Sequence, residues 1–448
     1  MIRNIIKFRY IITIVISAAL LNSCSNMLPH SIYKRPTVDM PHEWQQDQKL
    51  QQAGTEKITT AEDKNISSTA NEEQWWKNFN DPALDYLIER ALRTNNDLAA
   101  ATVRVRRALL QLGLTGTNLT PSASVSTESG HKYDLKNSIG STASTVVGNL
   151  SYEVDLWNRL ETLRGADRFA AEATEADRQS TALSLIGTTA SAYWQAAYLN
   201  QQIDSTKASI GYAEKTLNLV EVKYRNGAVS RLDLVQARQS VENQKAGLSQ
   251  LIMQKKEAAN ALSILFNKAP QQNSVPEPSR LPESQLPVIA SGIPAEILRR
   301  RPDLRAAELR LRESFANIDG ARLSFYPTFT LTGSLGSSSN TLINVLQNPL
   351  ASLGAGVVLP FVEWNKMQLT IKVSEAEYQE AVINFRQTIY TALSEVENAL
   401  SANISYHEES IRLKEALSLA KEAEHLLEIR YRSGATSMQS WLDSQESR

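Results

Sequence analysis

The sequence of 448 residues holds a single cysteine, Cys24, so it can form neither an intrachain disulfide nor a cysteine-cluster metal site. Its five histidines (His30, His42, His131, His407 and His425) include no close pair on one helical face suited to a metal. Net charge is missing too: 47 Lys and Arg against 48 Asp and Glu leave −1, with no basic footprint for nucleic acid. No G-x-S-x-G, HExxH or phosphate-loop pattern occurs, which leaves an enzyme without a nucleophile–base constellation and calls for no cofactor. The apolar run at 10–21 stops at 12 residues, short of the roughly 20 a transmembrane helix requires. Proline is absent from 122–269 and from 361–448, so two long stretches are open to uninterrupted regular structure. What remains is 42% hydrophobic, enough for packed structure and too much for a disordered chain.

The lone cysteine has a local explanation. Arg3, Lys7 and Arg9 precede the short apolar run, as in a signal peptide. The run ends at Leu21-Asn22-Ser23-Cys24, which resembles the bacterial lipobox. That resemblance implies cleavage after residue 23 and lipid attachment, palmitate included, at Cys24. Ser25, where an Asp would signal inner-membrane retention, resembles an outer-membrane address. An ordinary secretory signal with an incidental cysteine, or an uncut anchor, is the alternative. Residues 24–80 are polar and non-periodic and read as a tether wrapped on the surface.

The rest of the chain is written twice. Asp97-Leu98 and Ala100-Ala101 recur 206 residues later as Asp303-Leu304 and Ala306-Ala307, and Pro121 and Gly130 meet Pro327 and Gly336. At offset 207, Trp157-Asn158 matches Trp364-Asn365, and Tyr224-Arg225-x-Gly227-Ala228-x-Ser230 matches Tyr431-Arg432-x-Gly434-Ala435-x-Ser437. Residues 81–267 form the first repeat and 294–448 the second. Between them, 268–293 is an extended proline-rich linker.

Each repeat reads as a short helix (83 to about 112; 294 to about 323), two strands, and a very long helical hairpin. Strand evidence is period-two alternation. Val146, Gly148, Leu150, Tyr152 and Val154 alternate with Thr145, Asn149, Ser151 and Glu153. Phe329, Leu331, Gly333 and Leu335 alternate with Thr328, Thr330, Thr332 and Ser334, and Leu353 to Phe361 continue the pattern; 122–128 alternates weakly. Such strands suit a soluble half-buried sheet or a membrane strand of about ten residues. Small hydroxyl residues on the polar face, rather than Lys and Glu, favour the wall of a lumen. From 158 to 224 the text is helical throughout, a span of about 100 Å at 1.5 Å per residue. Ala196, Ile203, Ile210, Leu217 and Tyr224 fall every seven residues, with Leu199, Ala213 and Val220 between them. After Asn226-Gly227 a return helix carries Leu234, Val241, Leu248 and Leu262.

Longer runs carry a resemblance. IPAEILRRRPDLRAAE at 293–308, ARLSFYPTFTLTG at 321–333, Trp75-Trp76, Phe79-Asn80-Asp81-Pro82 and LDLVQAR at 232–238 resemble the outer-membrane efflux factor family (TolC-type), lipoprotein branch. The resemblance implies an α+β membrane protein. In it a homotrimer closes a 12-stranded β-barrel, four strands per chain, continued by a coiled-coil-like α-helical barrel into the periplasm. It further implies the exit duct of a tripartite efflux pump, held by outer-membrane lipid, with a periplasmic adaptor (membrane fusion) protein and an inner-membrane RND-type transporter as partners. A type I secretion duct and a periplasmic coiled-coil adaptor lipoprotein are the other readings. Nucleic acid is not a partner.

The same resemblance assigns sites. The helix reversals at 224–238 and 431–445, turning on Gly227 and Gly434, would form the periplasmic tip. In related lipoprotein ducts a Leu and an Asp four residues later line the closed constriction; by position these are Gln439 and Asp443. Asp443 fits and could form a carboxylate ring, whereas Gln439 departs from the apolar residue. Aligned on the first repeat, the last helix reads as cut short at Arg448. Arg299-Arg300-Arg301 reads as a surface cluster at a helix start and Asp303 as a local helix-start carboxylate. Trp75 and Trp76 read as packing residues, and Trp157 and Trp364 as interfacial girdle residues.

Overall fold

A computed structural model describes residues 32–41, 44, 72–136, 139–270, 278–282, 286–287, 294, 300–339, 347 and 349–447. The stretch read as a signal peptide, Cys24, and most of the segment read as a tether and of the proline-rich linker lie outside them. After a 3₁₀ turn, Glu72–Phe79, the elements run α1 Pro82–Thr94, α2 Asn96–Thr117, β1 Ser122–Asp134, β2 Ile139–Val154, α3 Arg159–Arg225 and α4 Arg231–Leu265. The second repeat gives α5 Pro302–Leu323, β3 Thr328–Ser339, β4 Pro349–Val358, α6 Trp364–Arg432 and α7 Met438–Ser447. Among the described residues no helix is long and apolar enough to cross a membrane.

The chain divides into two compact units, one made of Met1–Asp39, Thr102–Asp177 and Arg301–Tyr390, the other of Met40–Ala101, Arg178–Arg300 and Thr391–Arg448. The first unit contains the sheet. Its order is β1-β2-β3-β4, antiparallel throughout, so a strand from each repeat meets at the centre. Pairing in register puts alternate residues on opposite faces. One face collects Val125, Gly148, Leu150, Tyr152, Phe329, Leu331, Leu335, Leu353, Ala355 and Val357. The other collects Ser122, Ser124, Ser126, Asn149, Ser151, Thr330, Thr332, Ser334 and Ser352, with Val147, Leu350 and Val358 its larger apolar members. β1 runs on to Asp134, beyond the weak alternation at 122–128, because it pairs with β2 to the end of the hairpin. β4 stops at Val358, before the Leu359–Phe361 alternation ends, because Pro360 opens a 3₁₀ turn.

Around the sheet's helical end the first unit is tied by aromatic and ionic contacts. Asp155 accepts from the Leu160 and Glu161 amides, 3.1 and 3.0 Å, and so starts α3. Trp157 Nε1 donates to the Pro327 carbonyl at 2.7 Å, joining the β2–α3 turn to the start of β3. The N-terminal stretch is strapped onto α5 and α6. Tyr33 meets Phe315 edge-on at 5.7 Å, while Arg35 pairs with Glu308 at 2.9 Å and lies over Phe385.

In the second unit α1 buries Leu84, Leu87, Ile88 and Ala91 against Leu185, Ile186, Ala190 and Tyr193 of α3 and Leu262 of α4. Asp81 caps α1 by accepting from the Ala83 and Leu84 amides, and its other oxygen takes the Tyr193 hydroxyl at 2.8 Å. Burial, reinforced by that carboxylate, pushes the Tyr193 phenol well above its ordinary range. The single helix expected from 83 to about 112 is two. Asn95 leaves helical geometry, and its carboxamide oxygen accepts from the Asp97 and Leu98 amides, capping α2. Its Nδ2 donates to the Leu265 carbonyl at the end of α4. Trp76 is 4% exposed inside this core, and Trp75 packs edge-on to it.

α3 has 67 residues and α6 has 69. Ala196, Leu199, Ile203, Ile210, Ala213 and Val220 of the heptad stripe are buried, so the seam predicted from spacing faces a neighbour. Leu217 is half-buried, and Tyr224, at the end of that stripe, is 39% exposed.

Candidate functional site

The first candidate surface is the sheet. Among the described residues β1 and β4 are edge strands with no partner on their outer sides. Edges of 13 and 10 residues, backed by an apolar face, are an invitation to further pairing. Here the apolar face is open as well: Leu150 and Leu331 are each 50% exposed and Leu353 93%. The opposite face is lined by small hydroxyls, with Ser334 and Ser352 in hydrogen-bond contact at 2.6 Å. A sheet with one greasy and one hydroxylated face suits a wall between lipid and water.

The second candidate is the pair of reversals. Gly227 and Gly434 hold φ of 73° and 79°, in the left-handed region that favours glycine. The Ala228 amide donates to the Lys223 carbonyl and the Ala435 amide to the Arg430 carbonyl, both at 2.8 Å, so the two turns share one backbone design. Ser230 caps α4 in a reciprocal box with Asp233, whereas Ser437 caps α7 through the Ser440 amide.

Around the turns Val220, Ala237, Tyr431, Met438, Trp441 and Leu442 form one buried cluster. Tyr431 stacks on Trp441 with ring centroids 5.1 Å apart, and Lys223 Nζ stands 4.3 Å above the Tyr431 ring. Burial, with the Asp233 charge behind it, raises the Tyr431 phenol above its usual pKa. Beside the cluster, a groove of about 430 Å³ is lined by Lys215, Lys421, His425, Arg432 and Trp441 among others.

The exposed face of α7 presents Gln439 and Asp443 one turn apart. Gln439 Nε2 donates to Asp443 Oδ1 at 2.6 Å. Sequence reasoning singled out these two but missed the Tyr431–Trp441–Lys223 stack. The only sequence signal for it was two aromatics flanking a glycine turn. Asp303 sits in the first turn of α5; burial works against its charge, but Arg301, in hydrogen-bond contact at 2.7 Å, holds its pKa below the usual value. Trp364 is 61% exposed next to β4, while Trp157 is half-buried and spoken for by Pro327. Among the described residues no group of three His, Cys, Asp or Glu is placed to hold a metal.

The comparisons with known proteins converge on this geometry. The profile of the outer membrane efflux protein family matches residues 87–268 and 293–447, which spans nearly both repeats. Toxin and drug export protein A of Aggregatibacter actinomycetemcomitans is 33% identical over 371 residues, covering 82% of this chain and 81% of that protein. The pyoverdine export outer membrane protein OpmQ of Pseudomonas putida is 32% identical over 387 residues, covering 84% and 82%. Among solved structures, the open state of the Neisseria gonorrhoeae MtrE outer membrane channel has a TM-score of 0.77 at 26% identity, covering 94% of this chain and 92% of that one. Family and fold are those of channels rather than enzymes. The chain belongs to the outer membrane efflux protein family and is an outer-membrane efflux channel protein that extends into the periplasm.

Proposed function

We propose that three copies of this chain close a 12-stranded barrel and form the passive exit duct of a tripartite efflux pump. The observation that carries the reading is the two-faced sheet whose edges are both unpaired among the described residues. Four strands cannot close on themselves, since the smallest outer-membrane barrels have about eight. Two copies would reach that minimum; the efflux-factor resemblance selects three, with 12 strands. The helices α3, α4, α6 and α7 would then line a tunnel into the periplasm, where a periplasmic adaptor and an inner-membrane RND-type transporter feed it. Its relatives are named for toxin and drug export and for pyoverdine export, which supports small exported molecules as cargo. The wall of small hydroxyls offers no pocket that would bind one cargo over another, so recognition of the cargo itself falls to the upstream partners. Lipid on Cys24 would tether the chain beside the barrel, and Asp443 with Gln439 would restrict flow at the tip.

Native mass spectrometry and unheated electrophoresis of detergent-extracted outer membranes test the reading. Three copies per particle, dissociating on heating, are expected; a monomer or dimer in the membrane would overturn it. Palmitate-analogue labelling tests the anchor separately. Wild type should label and Cys24→Ser should not, with the trimer retained in both.

A further inference from the structure

The polar face of the sheet is nearly free of charge. β3 and β4 contain no residue charged at neutral pH, and β2 contains one, Glu153. Glu153 is already paired with Arg159 at 2.6 Å. β1 supplies the rest: Glu128, Lys132 and Asp134 alternate with outward residues on the hydroxyl face. Lys132 and Asp134 stand at the hairpin end, Lys132 about 13 Å along the strand from Glu128. Glu128 lies deeper, opposite Thr145, with Ser338 beyond it in the same row. It is exposed and makes no ion pair or hydrogen bond with any described residue.

We propose that Glu128 sets a cation preference in the membrane-spanning part of the lumen, an inference that rests on the trimeric barrel proposed above. In that barrel β1 of one copy borders β4 of the next. Because β4 brings no basic side chain, closure leaves the Glu128 carboxylate uncompensated. Threefold symmetry turns it into three carboxylates at one depth, on the order of 14 Å apart for 12 strands at normal spacing and tilt. That separation exceeds the Debye length of about 10 Å at 0.1 M salt and falls inside that of about 30 Å at 0.01 M. The three charges therefore act singly near physiological salt and jointly in dilute salt. Anionic solutes meet a repulsive ring and cationic ones are enriched, without a binding site being formed. The preference belongs to the barrel and is independent of whatever restricts the tip.

A thiol reporter reads the local potential without passing solute through the tip. Ser126→Cys lies two residues from Glu128 on the same face. Outer membranes carrying full-length Ser126→Cys are treated with cationic trimethylammonium-ethyl and anionic sulfonatoethyl methanethiosulfonate, with the parent chain as background. Normalised to each reagent's rate with free 2-mercaptoethanol, the cationic reagent should react about threefold faster at ~0.1 M salt and about tenfold faster at ~0.01 M, with no preference at ~1 M. In the Glu128→Gln background the ratio should fall to near one, and Glu128→Lys should invert it. Equal ratios with Glu128 and with Gln at that position would overturn the inference while leaving the barrel intact. If neither reagent reaches Ser126→Cys or a second lumen reporter, Thr332→Cys, the barrel reading fails instead.

Discussion

Tyr224 and Tyr431 hold the same place in two turns of one sequence pattern, yet Tyr224 is 39% exposed and Tyr431 5%. The backbones are alike in their left-handed glycines and their closing hydrogen bonds. The difference comes from the helix that follows. Met438, Trp441 and Leu442 of α7 are buried beside Tyr431. At the matching positions after the first turn stand Arg231, Leu234 and Val235, and Val235 is 51% exposed. Duplication has kept the turn and reassigned the face that the turn delivers. Turn geometry depends on a glycine and a few amides, while burial depends on which side chains arrive next. Substitutions at matching positions should therefore cost alike where geometry is shared and unlike where burial has diverged.

The largest contrast is expected at the aromatic stack. Trp441→Ala removes a 4%-exposed indole, a change of about 3–5 kcal/mol for a large core aromatic. Tyr224→Ala should stay within about 0.5 kcal/mol, as for most exposed positions. Hydrogen exchange of the amides around Gly434 and Gly227 reads both. Equal loss of protection at the two turns would erase the contrast. Next come substitutions where the two repeats agree. Leu150→Arg in β2 and Leu331→Arg in β3 both place charge on the apolar face, at about 2–4 kcal/mol each for mid-membrane positions. Ser151→Arg and Thr330→Arg on the hydroxyl face should assemble normally. Outer-membrane yield of folded protein distinguishes them, and uniform tolerance of all four would argue for a soluble sheet.

A smaller and equal effect is expected at the glycines. Gly227→Ala and Gly434→Ala each force a Cβ into left-handed geometry, about 1–2 kcal/mol. Nothing lies within 4 Å of either added atom, so backbone strain is the whole cost. Exchange protection should fall by the same amount at both turns; a large difference would mean that the surroundings, not the backbone, set the price.

These contrasts show what the sequence carried and what it did not. Alternation in β2, β3 and β4 marked the two faces because a period of two survives without any knowledge of partners. The heptad run from Ala196 to Val220 marked the buried seam for the same reason. The break at Asn95 left no such trace, because it depends on one carboxamide that caps α2 and reaches the Leu265 carbonyl, 170 residues away. The Tyr431–Trp441 stack was equally silent: an exposed and a buried tyrosine in identical turns look the same in the text. Glu128 sat in the strand whose alternation was weakest, and only pairing with β2 assigned it a face.

The smallest expected effect concerns α7 and the proposed restriction at the tip. Gln439 and Asp443 share the exposed face of α7, and the carboxylate already accepts a hydrogen bond from the amide at 2.6 Å. Around a threefold axis, three such carboxylates would repel one another and hold cations at the mouth. The Gln439 amide orients the charge without cancelling it, so such a ring would persist with Gln439 in place of the apolar residue that the resemblance expects. Asp443→Ala should therefore raise single-channel conductance in planar bilayers modestly and weaken block by divalent cations, leaving trimer assembly unchanged. Gln439→Leu should act in the opposite sense and lower the conductance. The matching positions of the first repeat are Leu232 and Gln236, where no carboxylate exists to form a ring. Gln236→Ala supplies the control: if it changes conductance and block as much as Asp443→Ala does, the restriction belongs to the tip as a whole and not to the second reversal.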